Sequence, residues 1–411
     1  MLKTLKNRDF LNLWLGQLVS RLGDGIHEIA LAWLVLDLTG SALSMGAILA
    51  VSVTPNILFG LPAGVFVDRF NRKKIMVLSD LARTVIVLII PIAYAMGFLQ
   101  IWMIFGVAFL TSTAEAFFGP SQHASIPNLV KEENLDPANS LVQITRAVSS
   151  LFGLSLGGAV VAFLGPANSF YLDSFSFFLS MVFISLISYG SVTREGAEGL
   201  WTDIKIKVKG GLRYVANDPF IRQLIVIAAG INFVIAPVNI IIPFQVKEVM
   251  GLSAGVYGSM MACLSLGIIV GSTIIGTVTV HRGKSLGYGI LGGGLSLALF
   301  PAFYLLGEGL LLPTILVVGL LSISLAGVGV ATSFVNVPID TLLQRTTEDS
   351  KRGRVMSIIS MGTTAAMPIG YGVSGLLLEK VGSIPILFAI GSLTLFAALA
   401  CFRSPELMKA R

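Results

Sequence analysis

Charge is scarce in this chain. Asp, Glu, Lys and Arg make up 12% of its 411 residues, about half the roughly 25% of a soluble domain. Hydrophobic residues fill 55% of the sequence and its mean hydropathy is +0.86, so a polytopic membrane protein is expected. Cysteine is nearly absent. Cys263 and Cys401 both fall in apolar runs, which leaves neither a disulfide framework nor a Cys-based metal site to read. The three histidines, His27, His123 and His281, lie on different segments without ligand spacing. "GKS" at 283–285 lacks the glycine a phosphate loop needs five residues earlier, where Val278 stands. An ATP-driven pump and an enzyme therefore find no support, and neither cofactor nor metal is expected. No cleavable leader is read at the amino terminus, because the first apolar run is long, carries charges and lacks a small-residue cleavage site.

What is present is length of apolar sequence. With about 20 residues needed per crossing, twelve spans are expected near 10–36, 43–67, 74–96, 100–122, 139–163, 167–190, 220–246, 253–279, 286–306, 311–337, 354–378 and 383–402. Long uncharged stretches must be divided at turn residues such as Gly97. The expected fold is all-α, with six-helix bundles at 1–190 and 220–411 and a linker at 191–219. In the linker Ile204, Val208, Leu212 and Val215 recur at helical spacing, with Lys205, Lys209 and Arg213 elsewhere. That pattern fits an amphipathic helix on the membrane surface or, alternatively, a solvated connection. The halves echo each other, "GPSQHASIPNLVKEENLDPANSLVQI" preceding the fifth span as "VPIDTLLQRTTEDSKRGRVMSII" precedes the eleventh. Such parallel repeats suit a rocking transporter. Outside the spans, every basic residue except Lys247 and Lys380 falls on the side of the two termini. That side is expected to be cytoplasmic, in a monomer of the cell membrane. The net charge of +6 then reflects topology toward lipid rather than nucleic-acid binding.

The most specific motif is "GVFVDRFNRKK", residues 64–74. Gly64, Asp68, Arg69, Arg72 and Lys73 match the signature loop of the major facilitator superfamily, with Asn71 where glycine is usual. Gly64 is expected to let two helices approach closely, and Asn71 to tolerate a left-handed turn. Asp68 is expected near the amides of Gly353 to Met356, facing the positive end of a helix. The second-half copy, "GTVTVHRGKSL", has Val280 in place of the acid. "FLNLWLGQLVSRLGD", "PSQHASIPNLV", "APVNIIIPF" and "GRVMSIISMGTTAAMPIG" extend the resemblance over nearly the whole chain, to the macrolide-efflux and siderophore-exporter branch of that superfamily. The resemblance implies proton-driven export of amphipathic small molecules by alternating access. Two features depart from it. The fourth-helix arginine is replaced by Thr111, and the fifth-helix Gly-Pro motif survives as Gly153, Gly157 and Gly158 without its proline.

Candidate site residues gather in the first span. At 100° per residue, Gln17, Arg21, Asp24 and Glu28 fall within about 60° of one another, with His27 off that stripe. A stripe facing a water-filled cavity avoids the lipid cost of about 2.5–3.5 kcal/mol per charge. Its acids would carry protons, or Arg21 would form a static pair with Asp24 or Glu28. Glu115 and Arg146, in the fourth and fifth spans, are expected to pair, with Arg146 replacing the missing arginine. Asp80 and Arg83 read as structural, and Asp173 has no assigned role. Gln17, Phe118, Gln143, Asn232, Asn239, Asn336 and Met361 are candidates for contact with an amphipathic substrate, since Met surfaces adapt to varied ligands. Ordinary packing is the alternative for the Met and Phe residues. A same-fold transporter of other cargo or direction, such as a lysophospholipid flippase, and a non-transporting receptor or scaffold remain open.

Overall fold

A computed structural model describes residues 4–188, 202, 209, 219–277, 282–346 and 361–403. The expected linker helix, Val280, His281 and the segment Gly353 to Met356 lie outside the described residues. With no water in a bilayer to satisfy backbone groups, an apolar chain must bond its own amides and carbonyls in helices. Among the described residues the chain does so throughout, without a strand.

The helices are α1 (Arg8–Thr39), α2 (Ala42–Arg69), α3 (Arg72–Ala95), α4 (Ile101–Leu129), α5 (Leu135–Leu164) and α6 (Pro166–Ser185), followed by α7 (Pro219–Ile235) and α8 (Val238–Phe244). After a π turn at Gln245–Val249 come α9 (Ala254–Thr277), α10 (Arg282–Gly309), α11 (Thr314–Thr346), α12 (Met367–Val381) and α13 (Ser383–Arg403). Ten candidate spans are long and apolar enough to cross a membrane, and the fold is an all-α polytopic membrane fold. The first helix is not among the ten, because its ionisable residues interrupt the apolar run. The seventh expected span is broken into α7, α8 and the π turn. Pro237, which has no N–H to continue a ladder, stands at the break with φ −51°.

Local sequence explains several boundaries. Between α3 and α4 the chain turns through Gly97, at φ +75°, a conformation that costs glycine little. Asn71 caps α3 instead of turning left-handed. Its φ is −65° and its side-chain oxygen accepts from the Lys74 amide at 3.0 Å, the N-cap arrangement that Asn favours. Large apolar side chains that water would penalise stand exposed, among them Leu78, Trp102 and Phe163, as a lipid-facing surface requires.

The chain divides into two compact units. The first is Met1–Thr39 with Ala47–Asn217, and the second is Gly40–Gly46 with Asp218–Arg411. In the first unit α1 packs on α5 and α6, and α3 on α4 and α6. The α1–α5 crossing runs through Gly25, Gly153 and Gly157. A methyl group on Gly157 would sit 2.7 Å from the Gly25 carbonyl oxygen, closer than two such atoms can stand. The two backbones therefore touch, as small residues allow in membrane bundles. In the second unit α10 packs on α11 and α13, and α9 on α11. That unit also takes in the start of α2, where the Ser41 hydroxyl donates to Glu379 at 2.5 Å and the Leu43 amide donates to the same oxygen at 3.3 Å.

Candidate functional site in the amino-terminal unit

The charged stretch of α1 meets two other helices. Asp24 and Arg83 of α3 form an ion pair at 2.8 Å, with the Asp24 side chain 35% exposed and that of Arg83 only 7%. The Arg83 guanidinium also lies over the Phe177 ring of α6, 3.8 Å from its centroid, so an aromatic face shares the cation. Asp80, one turn before Arg83, is fully buried. Arg83 and Ser180 stand beside it. His27, three residues after Asp24, meets Asp173 of α6, Nδ1 to Oδ2 at 2.6 Å. Three helices thus share one seam of ionisable groups.

The sequence expectations are partly redirected. Arg21 does not take Asp24, because Arg83 approaches from α3 and holds it. The pair read as structural, Asp80 with Arg83, is replaced by Asp24 with Arg83. Glu28 is exposed. Glu115 is also exposed, and no ion pair joins it to Arg146 among the described residues. Arg146 instead lies 3.4 Å from the His123 ring, since α4 turns His123 rather than Glu115 toward α5. The residues missed were His27 and Asp173. Each ionisable group inside a span needs a partner, but sequence alone does not say which helix supplies it.

The loop at 69–74 binds helix ends. Arg72 donates to the Ala124 carbonyl and Lys73 to the Ile187 carbonyl, each at 2.7 Å. Ala124 lies within α4, two residues before its last four, and Ile187 lies just beyond the end of α6, so two cations tie the start of α3 to the ends of its neighbours on that side. Asp68 is exposed and Arg69 half-buried, and each makes interactions of its own. Among the described residues nothing lies within 4 Å of where a Cβ on Gly64 would point.

The candidate substrate residues separate into groups. Phe118 is packed in a hydrophobic core with Phe10, Leu13 and Met76, which corrects its reading as a cavity wall. Gln17 is buried beside a small cavity that Trp14, Arg21, Gln122 and Thr145 also line. Gln122, absent from the sequence reading, is 1% exposed with both amide atoms lacking a hydrogen-bond partner. Gln143 is exposed. In the second unit Asn232 donates to the Thr363 carbonyl at 2.9 Å and Asn239 to the Tyr371 hydroxyl at 3.2 Å. Asn336 is exposed and Met361 half-buried. No cluster of three His, Cys, Asp or Glu residues arranged to hold a metal occurs among the described residues.

Comparison with known proteins agrees with this architecture. The family model described as "Transmembrane secretion effector" matches residues 1–410. The uncharacterized MFS-type transporter YvqJ of Bacillus subtilis (strain 168) is 24% identical over 406 residues, covering 98% of this chain and 94% of YvqJ. Macrolide efflux protein A of Streptococcus pyogenes is 22% identical over 403 residues, covering 97% and 96%. A bacterial homologue of the iron transporter ferroportin, solved in an inward-facing state, shares the fold with a TM-score of 0.73 at 15% identity, covering 97% of this chain and 99% of that one. The helices, the signature loop and a match that spans the sequence place this chain in the transmembrane secretion effector family of major facilitator superfamily transporters.

Proposed function

We propose that the protein is a proton-coupled exporter of amphipathic small molecules, working by alternating access in the cell membrane with both termini cytoplasmic. The observation that carries this reading is the Asp24–Arg83 pair. An ion pair set within a span is expensive unless it faces water or a partner; Asp24 has its partner in Arg83, and the 35% of its side chain left accessible is what a proton route would need. A proton reaching Asp24 cancels the charge that holds Arg83, so proton binding and the α1–α3 contact are linked. Glu28, one turn on and exposed, extends the route. Glu115, Arg21 and Arg146 set the field around it. Gln17, Gln143, Asn336 and Met361 are the candidate substrate contacts, and Asp68 with its basic neighbours the candidate conformational hinge.

Efflux as the direction is supported by the relative named a macrolide efflux protein, and the basic residues gathered on one side support the orientation. The test is accumulation of a macrolide by inverted vesicles under an imposed proton gradient. Wild type is expected to accumulate it uphill, and Asp24→Asn to lose uphill accumulation while still binding the drug. Uphill transport at wild-type rate in both Asp24→Asn and Glu28→Gln would overturn the coupling role.

A further inference from the structure

Asp173 is an expensive residue with no part in the reading above. It lies in α6 with no exposure. One carboxylate oxygen contacts His27 and the other, Oδ1, has no hydrogen-bond partner. A buried carboxylate with a single partner bears most of its desolvation cost uncompensated. Packing is not the reason for it. Gly23 already lets α6 come so close to α1 that an added Cβ would sit 3.1 Å from Asp173 Oδ1, and Ser176 serves that contact with a small neutral side chain.

We propose that His27 and Asp173 form a second proton-binding site, distinct from the Asp24–Arg83 pair. The imidazole is the port. Its side chain is 20% exposed whereas Asp173 is sealed, so a proton arriving from the exposed side meets the ring first. Uptake converts the neutral ring to an imidazolium whose Nδ1–H donates to the Asp173 carboxylate, and release returns the neutral ring. No other bond is made or broken. Phe170, edge-on to the ring at 5.1 Å and 88°, holds the imidazole in place during the exchange.

The groups around the ring carry both signs of charge. On α1, Asp24 lies one turn before His27, with Arg21 and Glu28 nearby. On α3 stand Arg83, already engaged by Asp24, and the buried Asp80. Glu115 of α4 is within electrostatic reach of Arg83, and Arg146 of α5 is within reach of Arg21. Within the seam itself Asp24, Asp80 and Asp173 face one guanidinium and one imidazole. A proton on His27 balances Asp173 as Arg83 balances Asp24, and reduces the excess of negative charge in a medium that tolerates little.

The inference rests on the proton-coupled reading for its role in transport, but the site can be tested without transport. Full-length protein labelled at its histidine rings and held in lipid nanodiscs can be titrated by NMR, with His27→Gln assigning the His27 signal. The signal should titrate between about pH 5 and 8, the range in which an imidazole changes charge. Asp173→Asn should displace its midpoint by about one pH unit or more, the size expected of an opposite charge at contact. Asp173→Glu should restore part of that displacement, which separates loss of charge from loss of fold. A His27 signal that stays constant over this range, or a midpoint unmoved in Asp173→Asn, would overturn the proposal. In vesicles, His27→Gln should keep drug exchange but alter the pH profile of uphill accumulation. A wild type that moves no protons would sink the coupling reading while the ring titration still decides the site.

Discussion

The third and sixth spans of each unit pack together, but by different chemistry. In the first unit α3 and α6 meet through Arg83 over Phe177, with Asp80 and Asp173 sealed between helices. In the second, α10 and α13 meet through glycine. A Cβ on Gly294 would lie 2.9 Å from the Leu395 amide, and one on Gly391 2.9 Å from the Ala298 amide. Hydroxyls finish the second unit's polar contacts, as where Ser333 donates to the Ile268 carbonyl at 2.7 Å. An ion pair of that unit joins chain neighbours, Lys247 and Glu248, at 3.9 Å. Small residues suffice for the α10–α13 crossing, so the charges set between α3 and α6 serve something besides packing, and proton handling is the role proposed for them.

The largest effect should come from breaking the charged seam on one side. Arg83→Met leaves Asp24 without its cation and is expected to cost about 3 kcal/mol, at the low end for a broken buried pair because Asp24 is partly accessible. Thermal unfolding in detergent reads it. Asp24→Asn added to Arg83→Met should recover most of the stability but not uphill transport. A single variant as stable as wild type would show that the pair holds nothing together.

The glycine seams should respond alike in both units. Gly157→Val and Gly391→Val each force a side chain against backbone and should cost about 1–3 kcal/mol, whereas Gly64→Ala, with open space before it, should be neutral. A tolerant Gly391→Val would break the comparison at its second term. A smaller loss, about 1 kcal/mol, is expected for Asn71→Ala at the α3 cap, with Asn71→Gly costing only a few tenths. Comparable, at about 0.5–1.5 kcal/mol, is Asn232→Ala in the second unit. Its bond is neutral, so added salt should leave that difference unchanged while reducing that of Arg83→Met.

The helices were legible because a membrane span is a matter of composition and length, and each expected span is met by helix among the described residues. The break in the seventh, at Pro237, was not read, since 220–246 looks like one span. Partners were harder to read. The angular stripe placed Gln17, Arg21, Asp24 and Glu28 on one face of α1, but whether α3 or α1 itself would answer Asp24 depends on how helices cross. Two residues one turn apart along a helix look like natural partners, and Arg21 was the obvious choice until α3 brought Arg83 within 2.8 Å. His27 escaped for a related reason. It faces away from the stripe, toward a helix whose acid lies 146 residues further along the chain. Asn71 shows a different failure. A motif fixes which residues occur, not whether an asparagine caps or turns.

That separation along the chain bears on how the protein is made. Each Asp or Arg near the centre of a helix disfavours its transfer from the translocon into lipid by about 2.5–3.5 kcal/mol, and α1 carries several such residues before any partner exists. Arg83 arrives with α3, but Asp173 is translated 146 residues after His27. Made before α3 and α6, α1 is thus electrostatically complete only after both have followed it. It must wait at the edge of the insertion channel, or with an insertase that shelters polar helices, until α6 emerges.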